Sequence, residues 1–279
     1  LSKNHDISCN SCHQLDNFGV DSEPTSPGHK GQRGGRNSPT VYNAALHIAQ
    51  FWDGREPDVE AQAGGPVLNP IEMAMPSKEA VVALLKSMDG YVEAFENAFP
   101  NDRDPVTYTN MQSAIGAFER HLVTPSPFDA YLAGEQNALT DAQRRGLKRF
   151  VETGCVTCHM GPAVGGSTYQ KLGVVNSYPS EDVGRFAVTG HESDKYVFKV
   201  PSLRNIAKTG PYFHDGSVGS LDEAIKLMSY HQLGKALTDG EVHEIRAFLG
   251  ALTGEIPLAY VVEPPLPLSG PNTPAPDPT

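Results

Sequence analysis

Downstream of Ser77, Val81, Leu84, Leu85 and Met88 recur at the three- and four-residue spacing of one helix face, and the Ser77 hydroxyl is placed to cap a helix over 78–88. Met111, Ile115, Phe118 and Leu122 form a second such stripe. The pattern then breaks at Thr124-Pro-Ser-Pro127, where a domain boundary is expected. Beyond it the helix starts are marked more strongly. Thr140 with Gln143 reads as a capping box opening a helix that runs toward Cys155. Ser220 with Glu223 opens a helix carrying Leu221, Ile225 and Met228, and Thr238 with Glu241 opens a last one with Val242, Ile245, Leu249 and Leu252 on one face. Strand signals are confined to Phe186–Val188 and Tyr196–Val200. The fold class is therefore all-α, with an N-terminal domain over 1–123 and a C-terminal domain over 124–255. The Pro-rich run from Glu263 to Thr279 cannot be regular throughout. It is read as an extended surface strap, with residues 256–279 packing back on the first domain, or, at its far end, as a disordered tail.

Composition narrows the function classes. Against 22 basic residues stand 33 acidic ones, a net charge of −11, so a nucleic-acid partner is not expected. A small partner with a basic face suits that charge better. The 27 Gly and 23 Pro residues exceed the ~12% usual for the pair and imply long loops, as in a fold whose core is partly a bound cofactor. No run approaches the ~20 apolar residues that span a bilayer. The chain opens on Leu1 without a signal-peptide pattern, and a processed or incomplete chain is expected.

All four cysteines fall in two copies of one pattern, Cys9-Asn-Ser-Cys12-His13 and Cys155-Val-Thr-Cys158-His159. Two thiols add across the two vinyl groups of a haem, a two-residue spacer lets one helical turn carry both, and the adjacent His faces the iron. A thioredoxin-type dithiol has no need of the following His. Zinc ribbons place their two knuckles far closer together than these. The reading is two covalent haem c groups, each in a cytochrome c-like domain, with His13 and His159 as proximal ligands. Haem c is assembled outside the cytoplasm, which points to the periplasm of a bacterium. For the second haem, Met160 is adjacent to His159 on the same face and cannot reach the other side of the iron. Met228 is either a core residue of its helix or the sulfur ligand, with His231 as the competing ligand.

Further stretches carry a resemblance. Pro24-Thr-Ser-Pro-Gly-His29, Arg36-Asn-Ser-Pro-Thr40, Phe51-Trp-Asp-Gly-Arg55, the segment from Gln62 to Glu72, and Pro211-Tyr-Phe-His-Asp-Gly216 resemble the bacterial di-haem cytochrome c peroxidases. The likeness runs from Leu1 to roughly Pro267, and it implies a further segment of helix and loop ahead of Leu1. By this resemblance Met228 is the axial ligand of an electron-storing haem. His29, on a flexible loop, binds the first iron in the oxidised enzyme and leaves when the second haem is reduced. Without it, His29 would read as a solvated loop residue and Glu72 as a surface acid. The resemblance makes Glu72 the group that moves a proton during O–O cleavage and Gln62 a donor to the bound oxygen. Trp52 becomes part of the electron route, a role compatible with that of an aromatic wedge between domains. Asn37, Thr209 and Pro211 match an interdomain Ca2+ site. His214 is expected near a haem edge or propionate, with its role open. The implied activity is reduction of hydrogen peroxide by electrons from a small c-type cytochrome or cupredoxin, in a homodimer. The rivals are a di-haem electron carrier, which needs no distal Glu, and the quinone-maturing di-haem enzymes, which carry Tyr where this chain has Met228.

Overall fold

The computed structural model describes all residues from Leu1 to Thr279. Its helices are α1 (Cys9–Cys12), α2 (Val59–Leu68), α3 (Lys78–Lys86), α4 (Asp89–Ala98), α5 (Tyr108–Glu119), α6 (Pro127–Leu132), α7 (Asp141–Thr153), α8 (Phe186–Thr189), α9 (Leu221–Leu233) and α10 (Asp239–Gly250). The only sheet pairs β1 (Tyr169–Lys171) antiparallel with β2 (Val197–Lys199), Tyr169 facing Lys199 across the register. No helix is long and apolar enough to cross a membrane.

Local chemistry sets most helix starts. The hydroxyls of Ser77, Thr140, Ser220 and Thr238 each accept a hydrogen bond from the backbone N–H three residues on, satisfying a donor the helix cannot. At Thr140 and Thr238 the Gln143 and Glu241 side chains reciprocate. The helix expected over 78–88 stops at Lys86: Ser87 Oγ donates to Leu84 O at 2.6 Å, and Met88 turns out to begin α4. Phe186–Val188, expected as strand, is instead the helical turn α8. Gly190 follows it in the left-handed region and its N–H closes the turn on Phe186 O, so a C-cap overrides the strand preference of Phe and Val.

Two apolar clusters form the core. In the N-terminal half, α2 packs on α5 and α3 on α4, burying Val67, Val81, Leu84, Leu85, Phe95 and Met111 together. In the C-terminal half, α7, α9 and α10 bury Phe150, Ile225, Val242, Ile245, Phe248 and Leu252. The α7–α10 contact depends on Gly146, where a Cβ would overlap the carbonyl oxygen of Glu244. Overpacking against backbone costs about 3 kcal/mol, at the upper end of the usual range, while Ala returns about 1 kcal/mol of helix propensity. Gly146→Ala is therefore expected to destabilise the protein by about 2 kcal/mol, read from a denaturant melt with an unchanged slope.

Thr124, 1% exposed, joins the halves. Its hydroxyl receives Asn43 Nδ2 at 2.8 Å and Asn205 Nδ2 at 2.9 Å, and its N–H donates to Asn43 Oδ1. After Thr253 the chain forms no helix or strand. It runs against the N-terminal half: Tyr260 stacks on Phe118 with centroids 5.1 Å apart, Ser87 bonds Thr273, and Asp277 pairs with Lys3.

Candidate functional site

Each Cys-x-x-Cys-His segment is a single tight turn. The first is α1, with the His13 N–H donating to Cys9 O at 2.9 Å; the second is a 3-10 turn over Cys155–Thr157 that Gly154, in the left-handed region, turns out of the end of α7. None of the four cysteines is paired in a disulfide. No three His, Cys, Asp or Glu side chains gather to hold a metal ion.

The two imidazoles are alike. In both His13 and His159, Nδ1 is buried with no hydrogen bond of good geometry, although the backbone of Gly19 and Pro39 acts on the first ring and that of Val164 and Pro201 on the second, and Nε2 makes no hydrogen bond. Burial lowers both, His159 to about 4, so each ring is neutral. A neutral imidazole with an unbonded Nε2 is what an axial iron ligand requires, and paired thiols on the same turn are what a haem c attachment requires. The residues fit that group.

Beside His159 opens a largely apolar cavity with about 1740 Å³ of empty space, part of it open to solvent. Cys155, Cys158, His159 and Met228 all line it. His231 does not; it is buried and its Nδ1 lies 2.9 Å from Asn176 O. Spacing left Met228 and His231 as rivals, and only Met228 is brought to the cavity.

On the first motif's side, the turn holding His29 is tied down rather than loose. Gly28 N donates to Gln32 O, His29 N to Glu72 O at 2.8 Å, and a Cβ at Gly28 would overlap Ile71 O. The His29 ring, in a residue only 6% exposed, makes no hydrogen bond, and its nitrogens are not sealed. Glu72 is half-buried and receives Asn69 Nδ2 at 2.8 Å. Burial raises its carboxyl above the ordinary range, opposed by Arg55 and by the Asn69 bond. Its charge also acts on the Cys12 thiol, so it stands within electrostatic reach of the first motif. Gln62, half-buried in α2, leaves its side-chain amide unbonded.

Between the motifs, Trp52 Nε1 donates to Asn37 O at 2.9 Å and Trp52 O receives Lys199 N at 2.8 Å. Asn37 N donates to His214 O, and Asn37 Nδ2 to the Glu23 and Pro24 carbonyls. Asn37 Oδ1 is thereby left without a donor, as are the Thr209 and Pro211 carbonyls, and all three residues line the cavity. His214, 3% exposed, packs 4.5 Å from Phe198 and 6.5 Å from Trp52, with Nε2 3.1 Å from Ser180 Oγ.

Sequence reasoning gave no role to Arg36, Asp53 or Asp182. Arg36 grips Asp182 through two nitrogens, at 2.6 and 2.9 Å, and buried Asp53 through a third at 2.5 Å. Arg36 and Asp53 lie inside motifs that carried the resemblance, and that was the available signal.

A family model described as di-haem cytochrome c peroxidase matches residues 1–137. The chain is 48% identical to the cytochrome c551 peroxidase of Pseudomonas aeruginosa, over 99% of its own length and 81% of that protein's. It is 47% identical to the cytochrome c551 peroxidase of Nitrosomonas europaea, over 100% and 83%. Among solved structures, a MauG-like protein associated with microbial copper homeostasis superposes with a TM-score of 0.80 at 28% identity, over 99% of this chain and 89% of that one. With near-full-length identity of this order beside two haem-attachment turns, the chain belongs to the di-haem cytochrome c peroxidase family.

Proposed function

We propose that this protein reduces hydrogen peroxide to water with electrons from a small c-type cytochrome or cupredoxin. The observation that carries the reading is a half-buried carboxyl, Glu72, raised by burial, on a residue whose backbone carbonyl accepts from His29 N–H. Cys9, Cys12 and His13 would hold one haem c, with His29 as its displaceable second ligand. Cys155, Cys158, His159 and Met228 would hold the other. When bound, the haems supply the iron that takes up peroxide and the electrons that reduce it. Glu72 accepts the proton of the inner peroxide oxygen and returns it to the outer one, so that water leaves. Gln62, whose amide has no competing partner, donates to the oxygen being reduced. Steady-state peroxide turnover with a reduced c-type cytochrome tests the reading; a fully haem-loaded protein that does not turn over is an electron carrier instead.

The thioether at 228 favours peroxide reduction over maturation of a quinone in a partner, since those enzymes carry Tyr at this position. Met228→His is expected to retain both haems but lower the second haem's potential, because imidazole favours ferric iron more than a thioether does. Redox titration checks this, and an unchanged potential with the sulfur-to-iron band intact would assign the ligand elsewhere.

Asn37 Oδ1 and the Thr209 and Pro211 carbonyls, three hard oxygens without donors, suit a Ca2+ completed by water. An ion there would clamp the loops of the two haem domains. Resemblance further supports a periplasmic homodimer, and the net charge of −11 suits a donor with a basic face.

A further inference from the structure

The cavity beside His159 has one formally charged side chain in its wall. Lys199 lines it; no Asp, Glu or Arg does. The residue is 7% exposed, and the only hydrogen-bond partner of its ammonium is His47 Nδ1, at 3.2 Å. No carboxylate stands close enough to favour its charge. Burial alone acts on it, pulling it down to about 8. An ammonium buried without a counter-charge is strongly unfavourable, and in a chain of net charge −11 the missing anion is not for want of carboxylates.

His47 is built to hold that ammonium. Burial and the neighbouring Lys199 charge keep its ring neutral, down to about 3, so Nδ1 accepts from Lys199 and the proton sits on Nε2, which is buried without a partner. The ring is wedged against Gly166, where a Cβ would overlap His47 Cδ2, and Gly166 is pinned by its N–H to Val200 O at 2.8 Å. On the other side Lys199 N donates to Trp52 O. The lysine is thus fixed by backbone and side chain, and its charge is unanswered.

We infer that Lys199, positioned by His47, binds a propionate carboxylate of the haem attached at Cys155 and Cys158. The inference rests on the reading that this motif holds a haem c. The propionates are the only anionic groups on a haem periphery. Cys155, Cys158, His159 and Met228 line the cavity, while of the first motif only neighbours of His13 such as Pro39 reach it and Cys9, Cys12 and His13 do not. A cation on that propionate favours the ferrous state and raises the potential of the haem that must receive electrons first.

The test uses the full-length protein with both haems attached, verified haem by haem on proteolytic fragments. In Lys199→Met the ferrous-to-ferric ratio of the Met228-side haem, at fixed ambient potential, is expected to fall about tenfold, a downward shift of about 59 mV for one electron. Its propionate bending band in resonance Raman should move as well. Lys199→Arg should restore both, and Lys199→Gln, which keeps length and polarity, replaces the Met variant if that one does not fold. An unchanged potential and Raman band in a doubly loaded variant would overturn the inference, as would a shift confined to the first haem. Absence of haem at Cys155 and Cys158 in the parent would instead refute the reading beneath it.

Discussion

Replacing Glu72 by Gln is expected to lower peroxide turnover by about 10²–10⁴-fold, the usual contribution of a positioned acid–base group, with peroxide binding retained. The amide has the carboxylate's shape, and its oxygen can still accept from Asn69 Nδ2. What it cannot do is take up and return a proton. Burial outweighs the effects of Arg55 and Asn69 and raises the carboxyl. Parent activity should therefore decline on the acid side at a pH above the ordinary carboxylate value of about 4.3, and the variant should lack that limb. Stability supplies a separate check. The folded chain holds this proton more tightly than the unfolded one does, so ionising Glu72 costs stability as pH rises through the carboxylate range. Gln escapes that cost, and the variant should melt no lower than the parent at neutral pH. Turnover within about tenfold of the parent would remove Glu72 from the proton path.

What could be read from the chain was what local chemistry encodes. Hydroxyl caps at Ser77, Thr140, Ser220 and Thr238 act within three residues and were visible as sequence patterns. So were the haem-attachment turns, because covalent addition to two vinyl groups fixes the Cys spacing. The α8 turn was misread because Phe and Val favour strands, while the Gly190 C-cap that decides the matter lies just outside the apolar run. Pairings across the fold were invisible. Arg36 and Asp182 are 146 positions apart, and Lys199 and His47 are 152 apart. Neither pair leaves a period or spacing to detect. Met228 and His231 lie on one helix, a turn apart, so spacing could not separate them. Only the third dimension does, putting Met228 in the cavity wall and His231 against Asn176.

His29→Gly is expected to give a protein that reacts with peroxide in its fully oxidised form, whereas the oxidised parent does not react until one electron is added. The imidazole is buried but makes no hydrogen bond, so its withdrawal leaves no broken side-chain partner behind. The backbone of the turn is another matter, since His29 N is bonded to Glu72 O and Gly28 lies against Ile71 O. Displacing the ring therefore moves the turn together with the segment that carries Glu72. The turn is also tied to the wall of the cavity beside His159. Asn37 Nδ2 bonds Glu23 O and Pro24 O at the start of the loop, Ser26 bonds Ser38 at 2.7 Å, and Asn37 itself is bonded to His214 O and Trp52 Nε1. A change at Trp52 and His214 thus has a bonded route to His29. A switch of this kind needs a differential of only a few kcal/mol between two arrangements. Glycine keeps the backbone bond to Glu72 while removing the ring, so it leaves the turn in place and deletes only the imidazole. Spectra of oxidised parent and variant, each mixed with peroxide, decide the matter. A parent that is already high-spin and reactive when oxidised would leave His29 without a gating role.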